Sequence, residues 1–233
     1  ALLLLLAMAA LVVIPSVYAL NPVARYKSEK RSEKVKKSSQ PSDLLTVRFW
    51  LIAANIFIVP FLNTAIFLYQ YSIAESKGWS SDWVLFSFAF FAIFNALALL
   101  ASGSLVDRYS GIRLFPLYLV PALLALLMMS LVNSPWVFPV FYALLGISTG
   151  LGSTVKTALQ VEVYGKGRLG KIRSYFSTIL VFSTALGPPA FGFFLDRNWS
   201  FNTVMLISAI VVSLLFMMSF SLWKLLRKEQ NPG

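Results

Sequence analysis

The residues able to do chemistry are few in this chain, because it contains no cysteine and no histidine. A thiolate nucleophile, a thiolate metal site and the commonest general base are therefore excluded, and so is the commonest metal ligand. We expect no enzymatic activity, no metal and no cofactor. The groups left for chemistry are polar side chains inside apolar stretches, where each one is costly unless it faces protein or water.

These polar side chains form a stripe on each of two predicted helices, residues 44–71 and residues 136–162. At 100° per residue, the first stripe spans an arc of about 80° and the second an arc of about 60°. The stripes are Arg48, Asn55, Asn63 and Gln70, then Tyr142, Thr149, Ser153, Lys156 and Gln160. We interpret them as two walls of one aqueous cavity for a small solute. The ammonium of Lys156 would meet a carboxylate there as a point charge; a lysine that snorkels to the headgroups is the alternative.

The composition explains why apolar stretches dominate. Hydrophobic residues make up 58% of the chain and charged residues 12%, whereas a soluble domain carries about 25% charged residues. So few charges cannot cover a surface that faces water. We therefore expect an all-α polytopic membrane protein, in which each span needs about 20 apolar residues.

The apolar runs predict seven transmembrane helices in four regions. A first helix, 1–20, is followed by a basic linker, 21–43, a six-helix bundle, 44–223, and a basic tail, 224–233. The bundle helices are expected at 44–71, 83–103, 114–132, 136–162, 174–195 and 200–223. Because the chain does not begin with Met and opens on a helix, we expect the sequence to start inside a longer protein.

The basic residues give the orientation of these helices. Sixteen of the 20 Lys and Arg residues lie in the alternate segments 21–43, 105–113, 164–173 and 224–233, and the intervening loops hold only Lys77 and Arg197. Lys and Arg in short loops mark the cytoplasmic side. We expect a multi-pass protein of the inner cell membrane with linker 21–43 and the C-terminus in the cytoplasm. This topology explains the net charge without a nucleic-acid partner, although an anionic-lipid or nucleic-acid patch in the linker is an alternative to a solvated segment.

Residues 103–113 form the most distinctive motif, Gly-Ser-Leu-Val-Asp-Arg-Tyr-Ser-Gly-Ile-Arg. We expect a short turn outside the bilayer, in which glycine allows a tight reversal and Asp107 accepts from a helix N-terminus or pairs with a basic group. The motif resembles the G-x-x-x-D-R-x-G-x-R/K signature of the major facilitator superfamily of secondary transporters. It departs from that signature by one residue, because both Tyr109 and Ser110 precede Gly111.

Further motifs resemble the same superfamily, and as a series they are most similar to bacterial permeases related to monocarboxylate and oxalate/formate carriers. They are Glu162-Val163-Tyr164-Gly165, Leu169-Gly170-Lys171-Ile172-Arg173-Ser174, Ala185-Leu186-Gly187-Pro188, Gly192 and Asp196-Arg197. Gly187 and Pro188 would form either a kink or a rocking pivot. Gly146-x-x-x-Gly150 predicts close helix packing.

The resemblance implies that residues 1–20 correspond to helix 6 and residues 44–223 to helices 7–12, so that the N-terminal half of the same protein is a partner. It also implies alternating access, with the substrate held between the halves near the membrane midplane. The residues expected to line the cavity are Asn55, Asn63, Gln70, Tyr142, Thr149, Ser153, Lys156 and Gln160. Those expected to act in gating are Gly103, Asp107, Arg108, Gly111, Arg113, Gly187 and Pro188.

An organic anion is the expected substrate, because Lys156 and Arg48 are the cations within the predicted spans. A sugar or drug carrier, and a membrane protein that does not transport, are the alternatives. Ion coupling stays open, because no Asp or Glu lies deep in a span. Besides the solute, membrane lipid is the expected contact of the helices.

Overall fold

The computed structural model describes residues 46–230, with the backbone alone for residue 222 and residues 225–230. Six helices follow one another, and this part of the chain contains no strand. They are α1 (Val47–Ser76), α2 (Ser81–Tyr109), α3 (Gly111–Leu117), α4 (Leu119–Leu131), α5 (Val137–Leu195) and α6 (Phe201–Gln230). The expected all-α fold is confirmed. The predicted helix 1–20 and linker 21–43 lie outside the described residues.

Five helical segments of the described part are long and apolar enough to cross a membrane, and α3 and α4 together form one of them. Helix α5 has 59 residues, so as one straight helix it would be roughly 90 Å long, about three times the hydrocarbon thickness. Gly165 breaks it with φ 72° and ψ 161°. We call residues 137–164 the first arm and residues 166–195 the second arm. Each arm is long enough for one crossing, so the described residues contain six segments of crossing length.

The turn predicted at residues 103–113 is wrong for most of its length. Helix α2 continues through Asp107 and Arg108, and α3 begins at Gly111. Ser110 alone separates the two helices, with φ 69° and ψ 152°. Likewise, the second arm of α5 begins at residue 166, well before the predicted start at 174. Lysine and arginine are good helix formers, so a basic cluster marks a membrane boundary without ending the helix.

Ser110 and Gly165 lie at the same end of the bundle, which we call the basic end because the cations of residues 108–113 and 166–173 are there. At the opposite end, two turns share one design. Gly78 and Asn198 have positive φ, 71° and 61°. The next residue donates its backbone N–H to a carbonyl five residues back, at 2.9 Å for Trp79 and 3.2 Å for Trp199. Both are Schellman-type helix ends, in which a left-handed residue stops the helix.

The first arm of α5 lies at the centre of the packing, against α1 on one side and α2 on another. Two of its glycines allow α2 to approach closely. A Cβ placed on Gly146 would lie 2.5 Å from the Phe91 carbonyl oxygen, and one on Gly150 would lie 2.5 Å from the Asn95 carbonyl oxygen. Only glycine fits at such distances, so the predicted close packing at Gly146-x-x-x-Gly150 is confirmed.

Candidate functional site

Facing polar side chains join α1 to the first arm of α5. Asn63 Nδ2 donates to Thr149 Oγ1 at 2.9 Å, and the Tyr142 hydroxyl donates to Gln70 Oε1 at 3.0 Å. We call these four residues the polar seam. The two pairs are seven residues apart on each helix, which is two helical turns, and they follow an antiparallel register. The structure thus joins two members of each predicted stripe by hydrogen bonds.

One atom of the polar seam lacks a partner among the described residues. Asn63 is 7% exposed, and its Oδ1 accepts no hydrogen bond. Thr149 cannot supply one, because its hydroxyl donates to the Leu145 carbonyl at 2.8 Å. A buried amide oxygen without a donor costs roughly 1–3 kcal/mol. Because Thr149 and Gln70 remain partly exposed, a donor from water or a solute can reach the seam and recover that free energy.

Asn55 belongs to the predicted stripe but takes no part in the polar seam. It is fully buried, and its Oδ1 accepts from the Ser219 hydroxyl of α6 at 2.6 Å. Its carbonyl oxygen accepts from the Tyr118 hydroxyl at 2.7 Å. All of these bonds are to packed helices, so Asn55 holds α1 against α6 and the junction of α3 and α4.

The second stripe continues along the first arm towards the basic end. Lys156 is half-buried, and its Nζ lies 5.5 Å from the centroid of the Tyr118 ring. Gln160 is buried, whereas Ser153 is exposed. Every Asp and Glu of the described residues lies within one turn of a helix end or of the break at Gly165. Lys156 is therefore a cation inside a span with an aromatic ring, and no carboxylate, beside it.

Glu162 binds the N-terminus of α3 across the bundle. Its Oε1 accepts from the Gly111 N–H at 2.7 Å and its Oε2 accepts from the Ile112 N–H at 3.0 Å. A carboxylate there satisfies two backbone donors and interacts favourably with the helix dipole. Gly111 is needed for this approach, because a Cβ on it would lie 2.6 Å from the Leu159 backbone nitrogen.

The role given to Asp107 in the sequence prediction is thus filled by Glu162. Asp107 is exposed. Arg113 is exposed as well, and Arg108 lies with its Cζ 5.4 Å from the centroid of the Tyr109 ring. Gly103 is inside α2, and a Cβ on it would meet nothing within 4 Å. Of the predicted gating residues in this motif, Gly111 alone has its role explained by packing within the described residues.

Gly187 and Pro188 lie where the second arm of α5 crosses α1. A Cβ on Gly187 would collide with the Phe61 carbonyl oxygen. One turn earlier, Ser183 Oγ donates to the Phe57 carbonyl at 2.5 Å. Pro188 lies inside the helix, and α1 has its own internal proline, Pro60, at the same crossing. The sequence prediction missed Pro60, although a proline within an apolar span was the available signal.

Comparison with known proteins gives the family. The family model described as Major Facilitator Superfamily matches residues 72–233. The multidrug resistance protein MdtG of Escherichia fergusonii is similar, with 32% identity over 133 residues, which cover 56% of this chain and 31% of that protein. The chain thus spans about a third of the length of this curated relative. With its membrane-crossing helices, the chain is a multi-pass membrane protein that belongs to the Major Facilitator Superfamily.

Proposed function

We propose that this chain is the C-terminal half of a secondary transporter that moves a small solute by alternating access. The observation that carries the proposal is the polar seam, in which the buried amide oxygen of Asn63 has no donor among the described residues. Both pairs are hydrogen-bonded, so the cost that remains is that of the Asn63 oxygen, which a donor from the solute would offset. In this role, the partly exposed Gln70 and Thr149 present the seam to a cavity completed by the other half of the protein.

The proposed substrate is an organic anion, as for the carriers of monocarboxylates and of oxalate/formate that the motif series resembles. Lys156 supports this choice, because it lies half-buried in a span on the same face of the first arm as the polar seam. A hydrated ammonium on a cavity wall attracts a carboxylate. Because Lys156 lies towards the basic end, it would attract the anion from that side of the membrane.

The test is flux into proteoliposomes that contain the full-length protein, measured with a panel of radiolabelled mono- and dicarboxylates. We expect Lys156→Gln to weaken the apparent affinity for the transported anion about tenfold, the usual worth of one charge-assisted hydrogen bond. Lys156→Arg should keep part of the affinity because it keeps the charge. Lys171→Gln is the matched control, since Lys171 is an exposed cation at the basic end, with Nζ 5.8 Å from the centroid of the Tyr175 ring. Unchanged affinity in Lys156→Gln would contradict this role and favour a lysine that snorkels to the lipid headgroups.

A second candidate is export of hydrophobic compounds, and the name of the similar MdtG protein favours it. Drug resistance of a host strain that expresses the full-length protein, together with the proteoliposome assay, separates the two candidates. A carrier of this kind raises the resistance of a drug-sensitive host and moves no carboxylate in proteoliposomes. A protein with neither activity would be a membrane protein that does not transport.

We also propose an orientation for the protein. It lies in the inner membrane of the cell, with linker 21–43 and the C-terminus in the cytoplasm. Because the chain has no cysteine, single cysteines can report it. We expect Ser76→Cys, at the exposed end of α1, to react with an impermeant maleimide in intact cells. Ser38→Cys, in the linker outside the described residues, should react only after the membrane is opened. Labelling of Ser38→Cys but not of Ser76→Cys in intact cells would show that the orientation is the opposite of the one proposed.

The exposed Asp107 and Arg108 are proposed to act in gating through contacts with the other half. Such charge-assisted bonds would stabilise one of the two access states and shift the balance between them. The proposed gating set also includes Arg113. It includes Gly187 and Pro188 as well, which would act as a pivot where the second arm crosses α1.

A further inference from the structure

A groove of about 380 Å³ lies at the basic end, where the end of α2, the start of α3 and the end of α6 meet. Leu105, Leu117, Phe216 and Phe220 are among its apolar walls. Arg113 is the charged residue in its lining. None of the four residues of the polar seam is in the groove lining, so the two features are distinct.

Two more cations stand beside the aromatic walls of this groove. The Lys224 Nζ lies 5.0 Å from the centroid of the Phe220 ring, and the Arg108 Cζ lies 5.4 Å from the centroid of the Tyr109 ring. Phe220 and Tyr109 both line the groove. Two acids are nearby. Asp107 is two positions from Tyr109, so it points about 160° away around α2, and the Glu162 carboxylate accepts from the Gly111 and Ile112 N–H groups. Neither acid lines the groove. The rim of the groove is therefore positively charged.

The position of the groove along the helices matches the membrane boundary. Arg113 is in the first turn of the apolar segment Gly111–Leu131, and Lys224 comes just after the apolar segment Phe201–Ser221. Tyr109 and Trp223, which also line the groove, are residue types that collect at the level of lipid headgroups. The cations are thus at headgroup level, and the apolar walls continue into the hydrocarbon.

We propose that this groove binds one anionic phospholipid, with its phosphate at Arg113 and Lys224 and an acyl chain along Leu117 and Phe216. The charge of the rim is complementary to the phosphate, and basic pockets between transmembrane helices bind anionic headgroups in this way. A second groove of about 470 Å³, between α1, the second arm of α5 and α6, provides a contrast. The described residues that line it include no charged one, so they offer nothing that would select a headgroup.

The experiment is native mass spectrometry of the purified full-length protein, titrated with phosphatidylglycerol or with phosphatidylcholine of the same acyl chains. We expect the wild type to bind the first phosphatidylglycerol at least about fivefold more tightly than phosphatidylcholine, the worth of one basic residue near the membrane surface. The double variant Arg113→Gln, Lys224→Gln should lose this preference. Lys171→Gln, which removes one charge at the same end from a residue outside the groove lining, should keep it.

Two further arms test the acyl chain and the source of the phosphate. Leu117→Trp, at a side chain that is 53% exposed and can be enlarged without disturbing the core, should fill the groove and weaken binding of the first phosphatidylglycerol. Soluble glycerol 3-phosphate should not displace the lipid. Equal binding of the two lipids by the wild type, an equal loss in Lys171→Gln, or displacement by glycerol 3-phosphate would each overturn the proposal.

Discussion

Gly150→Leu is expected to prevent assembly of the helical bundle. A Cβ at this position would already lie 2.5 Å from the Asn95 carbonyl oxygen and 2.9 Å from both the Ala98 Cβ and the Leu99 backbone nitrogen. These are mainly backbone atoms of α2, which cannot turn aside as a flexible side chain does. Overpacking that only forces rotamers costs about 1–3 kcal/mol, and here a whole helix must move. We expect no monodisperse peak in size-exclusion chromatography of the detergent-solubilised full-length protein.

Gly167→Ala is the matched control for this prediction. Gly167 is also a helical glycine of α5, but a Cβ on it would meet nothing within 4 Å. Alanine is a better helix former than glycine by about 1 kcal/mol, so the control should keep or raise the melting temperature. A well-folded Gly150→Leu protein with the melting temperature of the wild type would show that α2 and α5 do not meet as described.

Glu162→Ala is expected to lower the free energy of unfolding by about 3 kcal/mol. The change removes two charge-assisted hydrogen bonds to the N-terminus of α3, each worth about 1.5–3 kcal/mol, and leaves the Gly111 and Ile112 donors unpaired. Glu162→Gln keeps one acceptor oxygen but loses the charge, so it should cost about half as much. Thermal unfolding of the purified full-length protein in detergent measures both changes.

Glu75→Gln makes the same chemical change on an exposed glutamate at the opposite end of the bundle, and it should leave the melting temperature within about a degree. Glu162 and Glu75 variants of equal stability would contradict the role given to Glu162. A fall in stability for Glu162→Ala without any fall for Glu162→Gln would assign the effect to the hydrogen bonds alone, and the charge would then contribute nothing.

The fold was largely predictable because a membrane makes strong demands on a sequence. Apolar runs of span length and alternating basic segments follow directly from the bilayer and are visible in the chain alone. The ends of the helices were not predictable in the same way. Basic residues such as Arg108 and Lys166 are expected at the membrane boundary, yet both are helical. The positive φ of Ser110 could not be predicted either, because serine rarely adopts it.

The candidate site was predictable as a face of each helix but not as a set of contacts. Asn55 and Asn63 have the same side chain and lie in the same arc, yet one packs against α6 and the other pairs with Thr149. Helical periodicity gives a direction, and the neighbour in that direction depends on how distant segments pack. The contact of Glu162 with Gly111, 51 residues apart, is of this kind.

The single residues that break the helices have a mechanical consequence. Single residues with nearly the same φ and ψ, Ser110 and Gly165, separate two pairs of successive crossings. The pairs are α2 with the α3–α4 segment, and the first with the second arm of α5. A tilt of one member of a pair is therefore transmitted directly to the other. The connections at the opposite end contain four or five non-helical residues, at 77–80, 132–136 and 196–200. Successive crossings are therefore coupled more directly at the basic end than at the other, where the longer connections allow more relative movement.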